Sequence, residues 1–321
     1  MTNPLYRVRA SGFQGSGYAR PPLPGEKSKL VTNADGIMIE VAIDDTGKAI
    51  TVPGVTTVTG MGGDPGGLVQ WSVDQTAAYA VANVDSLLSR TQDQGWGFLR
   101  FYHKRKPDLS DPLRTAHQGV LDDLAELGTG VHEYVEWDLL GAQGFPPPID
   151  SEEMQQMVDA YYAWKFLHDI EVVAVELTVY GDGYAGTLDL ILRIDGKLYL
   201  LDIKTARAVR DSHWWQLAAL DKADVFYVET DTDVVGQKVW VPQSKLEHLG
   251  NEEDWHYGFL HTRPNDIEKD GTLIPAFFEL EEIPAEDIEI HYESFLACLT
   301  LRRNQKIMKA RTSERKKENN G

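Results

Sequence analysis

One stretch, GTLDLILRIDGKLYLLDIKT (residues 186–205), constrains the fold of this chain more than any other. Its two apolar halves flank Asp195-Gly196, a dipeptide typical of two-residue turns between antiparallel strands. With that turn, each residue i of the first strand faces residue 391 − i of the second strand. Leu190 then faces Leu201, and the face that they share is apolar along its length. The stretch therefore predicts a β-hairpin with one face in the core.

Charged side chains collect at one end of the opposite face of this hairpin. Asp189 faces Asp202, and Lys204 follows two residues later. A second Asp-Gly, at 182–183, places Glu176 opposite Asp189 in the same way. The three acids form a row of about 10 Å across three neighbouring strands. Like charges that face each other destabilise a sheet, so the row predicts a bound cation, and carboxylate ligands suit Mg²⁺ or Mn²⁺. The alternative is a solvated hairpin end with surface acids, or a strand register different from the one above.

Cysteine content and hydropathy exclude several classes of protein. The single cysteine, Cys298, allows neither a disulfide framework nor a cysteine-ligated cluster within the chain. The apolar runs are too short for a membrane span, and the first fifteen residues, MTNPLYRVRASGFQG, lack the apolar segment of a signal peptide. We expect a cytoplasmic protein without a membrane partner.

The net charge of −19 argues against a long non-specific nucleic-acid footprint, although two segments are locally basic. The segment RFYHKRK (residues 100–106) could bind a phosphate backbone or could be a solvated loop. Its candidate DNA-binding residues are Arg100, Lys104, Arg105 and Lys106. Residues 302–317 hold eight Lys and Arg, which suit either a solubilising end or nucleic-acid contact. Local charge, rather than total charge, steers a ligand.

The distribution of turn signals and periodic segments predicts one main domain. Residues 1–33 are rich in Gly and Pro and suggest a partly disordered arm. Residues 34–300 suggest a single domain, with a helical part at 64–170 and a core at 171–245, and residues 301–321 suggest a flexible basic tail. The expected fold class is α/β: a mixed sheet with an antiparallel three-strand meander flanked by helices, plus N-terminal helical additions.

An ordered set of motifs resembles the PD-(D/E)XK nuclease superfamily, within it the RecB-like and Cas4-like exonucleases of bacteria and their phages. The resemblance covers roughly residues 50–230. It rests on His132 in GTGVHEYVE, on Glu176, on Asp189 after Gly-Thr, on Asp202-Ile-Lys204-Thr, and on Gln216 in WQLAAL. It implies a restriction-endonuclease-like core.

The resemblance also implies roles for these residues. His132, Asp189, Asp202 and the backbone carbonyl of Ile203 would bind one or two Mg²⁺ or Mn²⁺ ions. Glu176 would assist at a second ion or a water, Lys204 would orient or deprotonate the attacking water, and Gln216 would position water or phosphate. Two departures stand out: Cas4 proteins usually carry four cysteines for an iron–sulfur cluster, which this chain lacks, and Leu220 stands where some relatives have Tyr.

The expected function is that of a metal-dependent DNA exonuclease in phage-type recombination or replication. A single-strand annealing protein would be a possible partner, and the host cytoplasm would be the compartment if the chain is phage-encoded. The alternatives are a structure-specific endonuclease with the same centre and a non-catalytic DNA-binding relative. Trp214 and Trp215 could stack on bases or pack in the core, and a zinc site at His256 and His261 lacks a third ligand nearby.

Overall fold

A nine-stranded mixed sheet dominates the computed structural model, which describes residues 17–32, 38–62, 65–94, 112–231, 238–244, 255–268 and 270–318. The order across this sheet is β13-β10-β7-β6-β5-β8-β9-β3-β2. The strands of the described residues are β1 (Gly17–Ala19), β2 (Ser28–Thr32), β3 (Met38–Ala42), β4 (Thr51–Pro53), β5 (Ile170–Gly181), β6 (Tyr184–Ile194), β7 (Lys197–Lys204), β8 (Val225–Asp231), β9 (Lys238–Ser244), β10 (Trp255–Arg263), β11 (Asp266–Ile267), β12 (Leu273–Ile274) and β13 (Phe277–Ile283).

Helices precede and flank the sheet. They are α1 (Val55–Thr59), α2 (Pro65–Ala82), α3 (Val84–Gln94), α4 (Pro112–Leu139), α5 (Glu152–Phe166), α6 (Asp211–Lys222) and α7 (Ile288–Glu318). Within the described ranges, no helix has both the length and the apolar character needed to cross a bilayer. The α/β class and the antiparallel β5-β6-β7 meander predicted from the sequence are confirmed.

Turn chemistry sets the register of the meander. Asp195 and Gly196 both have positive φ, at 50° and 85°, as a two-residue hairpin turn requires. Leu190 pairs with Leu201, as predicted. The Asp195 carboxylate also accepts a hydrogen bond of 2.9 Å from the backbone N–H of Asp169, which ties the start of β5 to the turn. Local sequence alone therefore fixes how β6 meets β7.

The main core lies between the meander and the helices α1, α6 and α7. Gly186 on β6 shows how closely they approach: a Cβ there would lie 2.6 Å from Leu220 Cδ2 and 2.9 Å from Val55 Cγ2. Trp214 and Trp215 pack against this core, which favours the packing interpretation over base stacking. The glycine of the Gly-Thr-Leu-Asp motif thus serves close packing of helix on sheet.

The observed organisation differs from the predicted boundaries in three places. Residues Asp64–Val131 form one compact unit, and Met1–Gly63 with His132–Gly321 form another, where the sequence suggested a single domain. Ser28–Thr32, expected in a partly disordered arm, forms an edge strand because it pairs along its length with β3. The segment from residue 301, expected to be a flexible tail, continues α7 to Glu318, since Arg, Lys, Gln, Met and Ala are strong helix formers.

Candidate metal centre

Two strands of the meander present one carboxylate each at the same level. The pairs Val175–Leu190 and Leu177–Leu188 keep the register in which Glu176 lies opposite Asp189, as predicted. Glu176 has a φ of 51°, a left-handed conformation that costs a non-glycine residue of order 1 kcal/mol or more. Such strain is concentrated at functional sites, where surrounding structure imposes it.

A histidine from α4 completes a group that could hold a metal ion. One ligand atom each from His132, Glu176 and Asp189 lies within 4.8 Å of the others, and all three residues are half-buried. The Nδ1 atom of His132 lies 3.4 Å from Oδ2 of Asp189. One imidazole and two carboxylates form a donor set that suits a divalent cation such as Mg²⁺ or Mn²⁺. The donor set is compatible with Mg²⁺ or Mn²⁺, and the binding of either ion stays a prediction.

Contacts with α5 hold the end of α4 that carries His132. Asp138, six residues after the histidine, accepts hydrogen bonds of 2.5 Å from the Tyr161 hydroxyl and from Nζ of Lys165. Tyr161 is buried, and Ser151 caps α5 by accepting a hydrogen bond from the backbone N–H of Met154. A buried charged anchor of this kind fixes the rotation of α4 about its axis.

The hairpin opens where the two aspartates were expected to face each other directly. The β6–β7 ladder ends at Leu190–Leu201, so the predicted pairing of Asp189 with Asp202 is wrong. Instead, Oδ2 of Asp189 accepts a hydrogen bond of 2.9 Å from the backbone N–H of Ile203. Opening the strands avoids two like charges at the short distance of a cross-strand pair.

On its edge opposite β6, β7 pairs with β10 in parallel, from Leu198–Trp255 to Lys204–His261. Asp202 lies opposite Phe259, and Lys204 lies opposite His261. The Nε2–H of His261 donates to the carbonyl of Ala206 at 2.8 Å, which holds the segment that follows β7. This pairing keeps the end of β7 in the sheet after it leaves β6.

Asp202 is buried and has two partners of its own. Its Oδ1 accepts a hydrogen bond of 3.2 Å from Nε2 of Gln216, and its Oδ2 forms an ion pair with Nζ of Lys204. Asp202 is not a member of the three-residue group on β5, β6 and α4. Its role as a metal ligand stays a prediction, as does that of the Ile203 carbonyl.

Burial and charge act differently on the two partners of this ion pair. Burial, followed by the negative charge of Asp189, raises the pKa of Asp202, although Lys204 opposes the shift. Burial alone would lower the pKa of Lys204, but the charges of Asp202 and Asp189 outweigh it and the net shift is upward. The ammonium group therefore stays protonated while Asp202 is ionised.

A histidine that the sequence analysis did not select lies beside this pair. His213 precedes Gln216 by three residues on α6, so the two side chains share a face of the helix. Burial, with the positive charge of Lys204 as the next cause, lowers the pKa of His213 to about 4. The His-x-x-Gln spacing was the signal that could have identified it. The imidazole is neutral at physiological pH.

Two other sets of sequence candidates have separate outcomes. Arg100, Lys104, Arg105 and Lys106 lie outside the described residues, so their DNA-binding role stays a prediction. His256 stacks near Tyr199, whereas His261 contacts Phe277, Glu281 and Ala206. The two histidines are five residues apart along β10, about 17 Å, so they cannot share a zinc ion.

The centre thus combines three side chains that could hold a metal ion with a buried cation–anion pair and a neutral histidine. It can hold a divalent ion next to a fixed ammonium group, a combination suited to an anionic substrate. Compared with protein-family models and with curated protein sequences, the chain matches none.

Proposed function

We propose that this protein is a metal-dependent deoxyribonuclease, most simply an exonuclease that hydrolyses phosphodiester bonds in phage-type recombination or replication. The observation that carries the proposal is the approach of His132, Glu176 and Asp189 to within 4.8 Å, beside the Lys204–Asp202 ion pair. A metal ion and a lysine in one centre provide two positive charges for a phosphate group. The proposed metal is Mg²⁺ or Mn²⁺.

His132, Glu176 and Asp189 would hold the ion. A divalent ion bound there supplies positive charge and lowers the pKa of water. Asp189 already accepts the Ile203 N–H, so its carboxylate orientation is set before any ligand binds. The strained backbone of Glu176 turns a second carboxylate to the same place. The protein itself therefore orients these carboxylates towards the proposed ion.

Lys204 would neutralise charge on the scissile phosphate and orient the attacking water. Its ion pair with Asp202 keeps it protonated, which favours the charge-stabilising role over proton abstraction. Gln216 would position Asp202 through its 3.2 Å hydrogen bond. Oriented charges of this kind stabilise a transition state without reorganisation.

The fold lends further support to the PD-(D/E)XK resemblance. An antiparallel three-strand meander carries Glu176, Asp189 and the Asp202-Ile-Lys204 segment, and a helix carrying Gln216 follows it. The strands beyond the meander, β10 and β8, extend the sheet on either side. The lack of cluster cysteines restricts the proposal to relatives without an iron–sulfur centre.

The test is digestion of end-labelled linear duplex and single-stranded DNA by the purified protein with Mg²⁺ or Mn²⁺. We expect nucleotide release that stops in chelator and falls more than a hundredfold in Lys204→Ala and Asp189→Ala. Asp45→Asn serves as a control, since this carboxylate is exposed and pairs only with Lys27 among the described residues. Full activity in Lys204→Ala or Asp189→Ala would end the proposal.

The same digest separates the alternatives. Cleavage of covalently closed circles as fast as linear DNA would indicate the endonuclease. DNA binding that needs no metal and yields no product would indicate a non-catalytic relative. A single-strand annealing protein stays a proposed partner, to be tested by co-purification from cells that express both chains.

A further inference from the structure

We propose that the second half of α7 is a nucleic-acid-binding arm that holds the phosphate backbone of the substrate outside the catalytic centre. This inference rests on the proposed function, because it assumes a nucleic-acid substrate. Residues 301–318 carry eight Lys and Arg against two Glu, a local net charge of +6 in a chain of −19. No other described segment of that length concentrates positive charge in this way.

The arm extends from a firmly packed base. Phe295 and Leu299, in the first half of α7, are buried in the main core together with Cys298. From Arg303 to Lys316 every side chain is exposed. A helix without a buried face gains nothing from packing, and its neighbouring cations repel one another. A bound polyanion would remove that repulsion.

Four of the eight basic residues of the arm form a stripe on one side of the helix. Arg302, Lys306, Lys309 and Lys316 follow one another at intervals of four, three and seven residues, which places them within about a quarter of the helix circumference. The stripe is about 21 Å long. Phosphates on one strand of a duplex rise about 3.4 Å per nucleotide, so the stripe matches about six of them.

Arg303 links the arm to the strands of the candidate centre. Its Nη2 donates a hydrogen bond of 3.0 Å to the carbonyl of Asp182, in the turn between β5 and β6. At the next residue, Gly183, a Cβ would lie 2.1 Å from that nitrogen, so glycine admits the guanidinium. Asp189 lies six residues beyond this turn on β6, a span of about 20 Å.

A second copy of the chain is the competing occupant, since the residues outside the arm carry a net negative charge. The exposed apolar side chains of the arm do not favour it. Leu301 and Met308 lie seven residues apart on one side, and Ile307 lies about a quarter turn or more away. A continuous apolar seam, as in a helical dimer, is therefore missing from the described part of the arm.

The experiment compares two triple variants of the full chain. The arm variant is K306Q/K309Q/K316Q, and glutamine keeps the helix propensity close to that of lysine. The matched control is K27Q/K29Q/K48Q, which removes three exposed lysines from the region of β2 and β3. Both are made in the otherwise unchanged full chain and assayed in chelator, so that binding is measured without cleavage.

Affinity for a fluorescent 30-base-pair duplex is measured over a range of salt concentrations. We expect the arm variant to bind about tenfold more weakly near 0.1 M salt, and the slope of log K against log salt to shrink by about 2 to 3, because each lost phosphate contact removes about 0.9. The control should keep the parent affinity and slope.

Equal affinities and slopes for the arm variant and the control would overturn the proposal. The proposal would also be overturned if the arm variant kept the parent affinity for DNA but formed a smaller assembly in analytical ultracentrifugation. That result would assign the arm to self-association. Failure of the proposed function is a separate result, because the arm variant can bind DNA more weakly, as expected, even if the protein never cleaves DNA. Conversely, if the protein cleaves DNA but the arm variant binds DNA as tightly as the control, the nuclease proposal holds and the proposal for the arm fails.

Discussion

The backbone N–H of Ile203 donates a 2.9 Å hydrogen bond to the carboxylate of Asp189 at the point where β6 and β7 stop pairing. A strand amide that has lost its partner across the hairpin is thereby satisfied by a side chain. The same carboxylate lies 3.4 Å from Nδ1 of His132. Asp189 thus stabilises the opened hairpin and orients a candidate metal ligand at once.

Substitution of Asp189 should separate these two roles. Asp189→Asn keeps an oxygen that can accept from the Ile203 N–H, so its free energy of unfolding should fall by less than about 1 kcal/mol. Asp189→Ala leaves that amide without an acceptor and should cost about 1–3 kcal/mol. Both should lose Mn²⁺ affinity, because the ligand charge is removed. Urea unfolding and calorimetric Mn²⁺ titration provide the measurements.

Asp45→Asn is the control for this pair, as its exposed carboxylate has no role in the centre. Equal destabilisation by Asn and Ala would contradict the structural role of the hydrogen bond. Retention of Mn²⁺ affinity in both variants would contradict the ligand role.

Removal of the charge on Lys204 should destabilise the fold through Asp202. In Lys204→Met the buried carboxylate loses its cation, and such losses cost about 3–5 kcal/mol at neutral pH. Because burial raises the pKa of Asp202, lowering the pH protonates the carboxyl group and the difference from the parent should shrink. Urea unfolding at pH 7 and pH 5, in chelator, gives both values.

The double variant K204M/D202N tests the same pair from the other side. Neutralising both partners should recover most of the stability lost in Lys204→Met, since no uncompensated charge stays buried. If Lys204→Met unfolds at the same urea concentration as the parent protein, the ion pair does not support the fold.

His213 should make the protein sensitive to acid. Its pKa is lowered from an ordinary value of 6.5 to about 4, so the unfolded chain binds the proton more readily than the folded one. The contribution of the neutral His213 to stability is therefore fully present above pH 6.5 and is lost as the pH falls towards 4. The loss is at most about 3 kcal/mol, and less because the imidazole is partly exposed. His213→Asn should flatten the fall in unfolding free energy between pH 7 and pH 4. An unchanged pH profile would refute this.

Gly186 should tolerate no added side chain. Gly186→Ala places a methyl group within 3 Å of Leu220 and Val55 and should destabilise the protein by about 1–3 kcal/mol. Gly119→Ala is the control and should stabilise the protein. A Cβ at Gly119 meets nothing within 4 Å on an exposed turn of α4, and alanine is more favourable than glycine in a helix by about 1 kcal/mol. Thermal unfolding compares them, and a stable Gly186→Ala would show that α1 and α6 can withdraw from the sheet.

The sequence by itself determined the local geometry of the meander. Asp-Gly turns admit positive φ, so residues separated by a few positions meet in a fixed register, and Glu176 could be placed opposite Asp189. The order of His132, Asp189, Lys204 and Gln216 along the chain likewise predicted which elements carry the centre. Alternating apolar residues likewise identified the three strands of the meander.

Only the tertiary structure decided which side chains finally share the site. The β6–β7 ladder ends before Asp189, and β10 pairs with the other edge of β7 across more than fifty residues of chain. Whether Asp202 meets a metal ion or Lys204 depends on burial, which no local pattern encodes. His213 was missed for the same reason, since its proximity to Lys204 arises from helix packing. Local turns fix register at short range, whereas long-range pairing and desolvation set the chemistry.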